Sequence, residues 1–434
     1  MELVNYLDKF LIDPVTKIQY GFNYGAEIKT PADVEGTWSI SFFNDDSGDL
    51  LYHVELAPGA YFATPIKYYI RWKVVAINLK SHNVFSTILD CKDRYVLFRL
   101  AHKTLGACIA YMSQVQAFVK KHECKPIIYA QKWFIELFAR NYPDYTMVDD
   151  EGLLSEIPLY ATYFLGIVFD PAQYREWNKV SYQTCGLQHI GANILGLPTD
   201  IEPEPPLVTA TDEGWRKKPT RPYVCIGYSG SKACKLWWNP VGWRGVIEHL
   251  NYLGLDVVCI DRDAIIGMPG SFYQYPKQAI NWTGDYTLQF RVNQIMGAEF
   301  FIGVASGLSW LAWCCRKPIV LISGFSRPSM EFKTPYRVYN EENLCNDCWG
   351  DTSIPFWHHA WGWCPRVDKV IHELTDQIEA SPTIEEKQMV LMKRDEEEAK
   401  KFSCTLNITA ERVNRTIDRL IEQEKINVQR KPLA

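Results

Sequence analysis

The sequence predicts an α/β fold: two Rossmann-like lobes, preceded by a small all-β domain and followed by a cysteine-rich segment. Three observations predict it. Short apolar runs at 95–100, 223–227 and 300–303 alternate with helical segments, as buried parallel strands with helical crossovers do. This alternation occurs on both sides of a polar, Pro-rich stretch at 201–222, which reads as a linker. Residues 20–90, in contrast, read as short strands with regular turns. The chain has 434 residues, too many for a single core.

Composition narrows the class. The chain is 47% hydrophobic and 22% charged, with no low-complexity tract, which is globular. Its net charge is −5 and its pI near 6.0, which gives no overall electrostatic case for nucleic acid or an anionic membrane. The 15 Trp and 24 Tyr are read mainly as core, with some available to line sugar or base pockets. The N-terminal Met1-Glu2-Leu3-Val4-Asn5-Tyr6 has neither the basic nor the apolar region of a secretory signal. The longest apolar stretch, 300–315, is too short for a comfortable membrane span and carries Gly and Ser. A reducing cytoplasm is therefore expected, where clustered cysteines favour metal over disulfide.

The β domain is expected over 1–93. Val34 to Phe43, then Leu50 to Val54 and the aromatic run 67–74 are separated by turns at Asn44-Asp45-Asp46-Ser47-Gly48 and Pro58-Gly59, as in a small barrel or sandwich. No chemistry is assigned to it; self-assembly or partner recognition is the expectation. The first lobe, 94–215, opens with a strand at 95–100, a helix over 108–121 and a strand at 126–130, a β-α-β unit. The second lobe, 216–340, has strand 223–227, a helix over 241–253 opened by Pro240 and ended by Gly254, and strand 256–260. A helix at 288–296, strand 300–303, a helix through Trp313 and strand 319–322 complete it. Residues 341–408 form the cysteine segment, with a charged helical insertion over 367–403 split at Ser381-Pro382. The closing helix, 409–434, carries apolar spacing at Val413, Ile417 and Leu420. Ligands are expected at the C-terminal strand ends, in a cleft between the lobes.

Two constellations carry chemistry. Cys345 and Cys348 form a CxxC knuckle; fifteen residues separate Cys348 from Cys364, and 39 separate Cys364 from Cys404. Four thiolates at about 2.3 Å from one ion make a structural metal site, and zinc and iron both accept such a set. Four unrelated thiols, or a redox CxxC, are the plainer alternatives. The Ser306-Gly307-Leu308-Ser309 turn follows a strand and starts an apolar helix, where unpaired N–H groups meet phosphate; an ordinary helix cap is the alternative. Lys235 lies beyond the Ser229-Gly230-Ser231 loop and can neutralise a diphosphate leaving group, although most lone lysines are simply solvated. Asp261 closes the second strand of the lobe, where an acid binds ribose or caps a turn. The turn and the cysteines together point to a nucleotide-sugar enzyme with a structural metal.

Several segments sharpen this reading. Lys235-Leu236-Trp237-Trp238-Asn239-Pro240-Val241-Gly242-Trp243, the run Gly303 to Trp313, Leu321 to Ser326 and Thr334 to Val338 resemble the bacterial autotransporter O-heptosyltransferases of the TibC/Aah type. So do Cys345-Asn346-Asp347-Cys348-Trp349, Trp363-Cys364-Pro365 and Phe402-Ser403-Cys404-Thr405. The resemblance runs from about residue 95 and is dense over 223–365, and the N-terminal β region also suits the family.

The resemblance implies a GT-B-like glycosyltransferase with an N-terminal β-barrel, the first lobe on the acceptor side and the second on the nucleotide-sugar side. It implies inverting transfer of heptose from ADP-heptose to Ser hydroxyls of an autotransporter or adhesin passenger, in the bacterial cytoplasm. It further implies a large homo-oligomer, a dodecamer, and one structural iron at Cys345, Cys348, Cys364 and Cys404. Lys235 falls on the lysine that holds the donor diphosphate, and the Ser306-Gly307 turn on a donor-facing loop. The substrate-binding candidates are Thr104, Gly106, Ser229, Ser231, Asp261, Ser306, Gly307, Leu308 and Ser309.

The chain departs from the family at one telling position. The family has Leu-Gly-Asp at the start of the first lobe's helix, and that Asp is proposed as the catalytic base. Here the segment is Thr104-Leu105-Gly106-Ala107. Alanine cannot accept a proton, and general-base assistance is worth roughly 10²–10⁴-fold. A disabled enzyme is expected, by an engineered substitution more than a natural one. The span from Cys364 to Cys404 is also longer than the family norm. The rival readings are a glycosyltransferase using another nucleotide sugar and a silent scaffold that binds nucleotide sugar or passenger. A zinc-finger nucleic-acid binder is disfavoured by the net acidity.

Overall fold

The computed structural model describes residues 9–100, 103–170, 172–212, 219–268, 271–340, 345–354 and 360–429. The N-terminal Met1 to Tyr6, and Lys217-Lys218 in the linker, lie outside the described residues. The chain divides into two compact units, Met1–Pro206 and Leu207–Ala434.

Among the described residues, the first unit begins with eight short strands: β1 (Leu11–Ile12), β2 (Gln19–Gly21), β3 (Glu27–Lys29), β4 (Trp38–Asn44), β5 (Leu50–Leu56), β6 (Tyr61–Ala63), β7 (Trp72–Asn78) and β8 (Val84–Ile88). They form two antiparallel four-stranded sheets, ordered β1-β2-β3-β6 and β5-β4-β7-β8. In β4 and β7, buried Trp38, Ile40 and Phe42 and buried Trp72, Val74 and Ala76 alternate with more exposed residues, the period-two pattern of one packed face. Residues 67–71 are not strand, although their aromatic run predicts one. The N–H groups of Lys67 and Tyr69 donate instead to Glu176 O (2.7 Å) and Ile194 O (2.7 Å).

The same unit continues with β9 (Tyr95–Leu100), α1 (Leu105–His122), β10 (Lys125–Tyr129), α2 (Lys132–Phe138), β11 (Thr146–Val148), β12 (Leu159–Leu165), α3 (Tyr174–Trp177) and α4 (Leu187–Ile194). The parallel sheet runs β11-β10-β9-β12. A bridge between Phe22 and Ala161 ties the N-terminal strands to it. Asn23 Oδ1 also accepts from Thr162 Oγ1 at 2.8 Å. Helix α1 starts three residues before the expected 108. Thr104 is its extended N-cap, so Leu105 and Gly106 already lie in the first turn.

The second unit holds β13 (Tyr223–Gly227), α5 (Gly242–Tyr252), β14 (Asp256–Cys259), β15 (Ile265–Met268), β16 (Ser271–Gln274), β17 (Ile280–Asn281), α6 (Leu288–Gly297), β18 (Phe301–Val304), α7 (Gly307–Cys314), β19 (Ile319–Ile322) and β20 (Arg337–Val338). A six-stranded parallel sheet runs β17-β14-β13-β18-β19-β20. Strands β13, β18 and β19 are buried at every residue, as a sheet covered on both faces requires. Gly254 ends the turn after α5 at φ +83°, and a Cβ there would lie 2.5 Å from Gln429 O, so glycine is required twice over.

The chain closes with α8 (Pro365–Ala380), α9 (Ile384–Glu398), α10 (Ser403–Leu406) and α11 (Ala410–Gln423). The charged insertion is thus two helices broken at Ser381-Pro382, and a capping box between Thr383 and Glu386 starts the second. Helix α11 buries Val413, Ile417 and Leu420 completely, each worth roughly 1.5–3 kcal/mol of transfer free energy. Trp237 Nε1 donates to Ile408 O at 2.9 Å, which fastens the start of this segment to the body. Among the described residues, no helix is long and apolar enough to cross a membrane.

Candidate functional site

Adjacent strands β14, β13 and β18 end at one edge of the second unit's sheet, so their following residues meet there. The loop after β13 is shaped by Asp261. Its carboxylate accepts the N–H of Tyr228 (2.9 Å), the N–H of Ser229 (3.1 Å) and the hydroxyl of Ser229. Asp261 is 1% exposed. Burial raises its pKa, and the bonds from Ser229 and Tyr228 oppose that rise. Below it, the buried guanidinium of Arg291 donates to Asp261 O (3.1 Å), Gly284 O (2.7 Å) and Trp282 O (2.8 Å). Asp261 therefore spends both oxygens inward, on the backbone of the loop, and fixes that loop's shape.

Lys235 ends a single helical turn, Ala233–Lys235, further along the same loop. Its side chain is partly buried and packs over Gly230, where an added Cβ would stand 2.9 Å from Lys235 Cβ. Its ammonium lies 5.6 Å from the centroid of the Phe325 ring. Ser231 is exposed.

After β18, the turn at Ser306 starts α7 in extended N-cap geometry without a side-chain cap. The two serines of this turn differ. Ser309 is fully buried and its hydroxyl donates to Val304 O at 2.6 Å, closing the strand-to-helix turn. Ser306 Oγ is shielded from solvent and has no hydrogen-bond partner among the described residues. Gly307 and Leu308 are partly exposed. With the first N–H groups of α7, the Ser306 hydroxyl forms a donor set suited to an anion.

In the first unit, Thr104 is exposed and makes no side-chain cap bond to α1. Gly106 is buried and Ala107 is 6% exposed in the first turn, which contains no acidic residue.

The cysteine segment packs beside the Lys235 turn. Cys364 and Cys404 are buried, and Cys345 and Cys348 partly so. Burial pushes the Cys348 thiol up to about 12, Arg366 opposes the shift, and Cys345 and Cys364 add to it. Burial likewise raises Cys404, and then Cys345, Cys348, Cys364 and Cys234 raise it further. These thiols thus lie within one another's electrostatic reach, where a cation would relieve the repulsion of their thiolates. The Phe402 N–H donates to Cys364 Sγ at 3.5 Å. Among the described residues, however, no three His, Cys, Asp or Glu side chains are arranged to hold a metal ion. The donor chemistry fits a thiophilic metal, while a converged ligand set is not displayed.

Sequence reasoning singles out neither Phe325 nor Arg291 as a functional residue. Both act through contacts with residues distant in sequence, and a lone Phe or Arg gives no local signal of that.

No family model matches the chain. The autotransporter heptosyltransferase Aah of Escherichia coli is 36% identical over 372 residues, 85% of this chain and 90% of that protein. BimC of Burkholderia thailandensis, named an inactive autotransporter heptosyltransferase, is 29% identical over 349 residues, 80% of this chain and 79% of its own. The solved structure of TibC, described as a dodecameric iron-containing heptosyltransferase in complex with ADP-D-β-D-heptose, superposes with a TM-score of 0.79 at 32% identity. It covers 95% of this chain and 97% of that one. The α/β architecture is accordingly that of a GT-B-like glycosyltransferase, and the chain belongs to the autotransporter heptosyltransferases.

Proposed function

We propose that this chain is a protein O-glycosyltransferase built to transfer heptose from ADP-heptose to Ser hydroxyls of an autotransporter passenger with inversion, and that Ala107 has removed its general base. The observation that carries the proposal is the contrast between two strand-to-helix junctions, one in each unit, within a chain 36% identical to Aah. Lys235, the buried, unpartnered Ser306 hydroxyl and the start of α7 are all present among the described residues, while the first turn of α1 lacks an acid. BimC, a relative whose name says inactive, supports a silent member arising without engineering.

The proposed chemistry assigns each group a task. Lys235 and the N–H groups at Gly307 and Leu308 stabilise the negative charge on the departing ADP. Asp261 holds the loop that presents Ser229, Ser231 and Lys235. Ribose contact by Asp261 is the weaker assignment, because both its oxygens already accept from Tyr228 and Ser229. An aspartate at 107, beside Thr104 and Gly106, would take the acceptor Ser proton.

Iron, or zinc on the same donor chemistry, is proposed at Cys345, Cys348, Cys364 and Cys404. It would supply a structural cross-link and take no part in transfer. TibC's description as a dodecamer supports a homo-oligomer here. The two N-terminal sheets are proposed as the family's β-barrel, with a role in assembly. The bacterial cytoplasm, where ADP-heptose would be available, is the proposed location.

A calorimetric donor screen tests the donor assignment. ADP-heptose and ADP should bind, and UDP-sugars should not. Preference for a UDP-sugar would move the reading to a glycosyltransferase with another donor. The scaffold reading is favoured by Ala107, and passenger binding with no transfer after an acid is restored at 107 would support it.

A further inference from the structure

We propose that the cysteine segment preorganises the donor-phosphate lysine through an aromatic wall, with Phe325 as the positioning residue for Lys235. The inference rests on the role proposed above for Lys235 and adds how that side chain is held. The Lys235 ammonium lies 5.6 Å from the Phe325 ring centroid, a face that attracts a cation and narrows its rotamers before a diphosphate arrives.

Phe325 is itself held by residues beside the cysteines. Its ring lies 5.6 Å from that of Trp349, which follows Cys348, and packs edge-on at 6.0 Å against Trp363, which precedes Cys364. The Trp349 N–H donates to Phe325 O at 3.2 Å, and the Asp347 N–H donates to Gly324 O at 2.8 Å. A Cβ on Gly324 would lie 2.4 Å from Cys404 O, so the two backbones touch.

The turn that carries Lys235 is gripped from its other side. The Ala233 N–H donates to Trp361 O at 3.1 Å. Trp238 stacks on Phe402 with centroids 5.0 Å apart and planes 12° apart, and its Nε1 donates to Ala233 O at 2.8 Å. Trp349, Trp361, Trp363 and Phe402 thus link the cysteine segment to both flanks of Lys235. Order among the cysteines reaches the lysine without any of them touching donor.

The test uses the full chain with its lysines ¹³C-dimethylated, and the Lys235 signal is assigned by its loss in Lys235→Arg. Expected is an upfield ring-current shift of Lys235 that Phe325→Leu abolishes, Trp349→Leu reduces and Phe325→Tyr retains. In parallel, Phe325→Leu should weaken ADP binding about two- to fivefold, and should add nothing in a Lys235→Met background. An unshifted Lys235 signal in the unaltered chain overturns the proposal and needs no variant to fold. So does a signal indifferent to Phe325→Leu or Trp349→Leu. If the signal behaves as expected but the unaltered chain binds no ADP, the positioning stands and the donor reading fails. If ADP binds with Lys235 unshifted, the donor reading stands and the positioning fails.

Discussion

The loop edge of the second unit and the start of α1 in the first are both strand-to-helix junctions of parallel sheets, yet they are furnished in opposite ways. At the first, Asp261, Ser229, Arg291 and Ser309 build a hydrogen-bonded frame around Lys235 and Ser306. At the second, exposed Thr104 makes no cap bond and buried Gly106 and Ala107 offer no side-chain polar atom. On the function proposed above, the difference means that donor handling and proton transfer are separable: the chain would keep the frame for a nucleotide diphosphate and lose only the group that activates its acceptor.

The largest expected effect breaks the contrast outright. Ala107→Asp should raise transfer by roughly 10²–10⁴-fold, the usual worth of a general base, in an assay of heptose added per passenger. Next, Lys235→Ala should weaken ADP binding about tenfold or more by calorimetry, while Ala107→Asp leaves ADP affinity unchanged. Equal affinity in Lys235→Ala would remove the lysine from the donor site.

The two serines of the α7 turn sharpen the comparison further. Ser309→Ala deletes a buried donor to Val304 O and should cost about 1 kcal/mol in denaturant unfolding. Ser306→Ala deletes a hydroxyl with no partner among the described residues. It should leave stability within about 0.5 kcal/mol and lower donor affinity by a few-fold at most. Reversed phenotypes would show that the wrong serine has been placed toward ligand.

Strands are the most legible part of this sequence. Tyr95–Leu100, Tyr223–Gly227 and Ile319–Ile322 coincide with their predicted runs, because strands covered on both faces must be apolar throughout. The start of α1 is less legible, since Gly106 looks like a turn residue and Thr104 caps through its backbone conformation alone. The candidate site is legible as residue types at strand ends. What each side chain does there is not, because Asp261 and Ser309 are committed by partners on other elements. The Phe325–Lys235 contact joins residues ninety positions apart in the chain, and no local pattern announces it. The cysteine spacing is legible as a knuckle with two further thiols, but spacing does not fix whether the sulfurs converge.

The measurement that bears most directly on the account is intact mass of an autotransporter passenger incubated with ADP-heptose and either this chain or its Ala107→Asp form. Heptose additions by the Asp form alone are the predicted result. Additions by the chain as it stands would contradict the account, because position 107 could not then be where the proton goes.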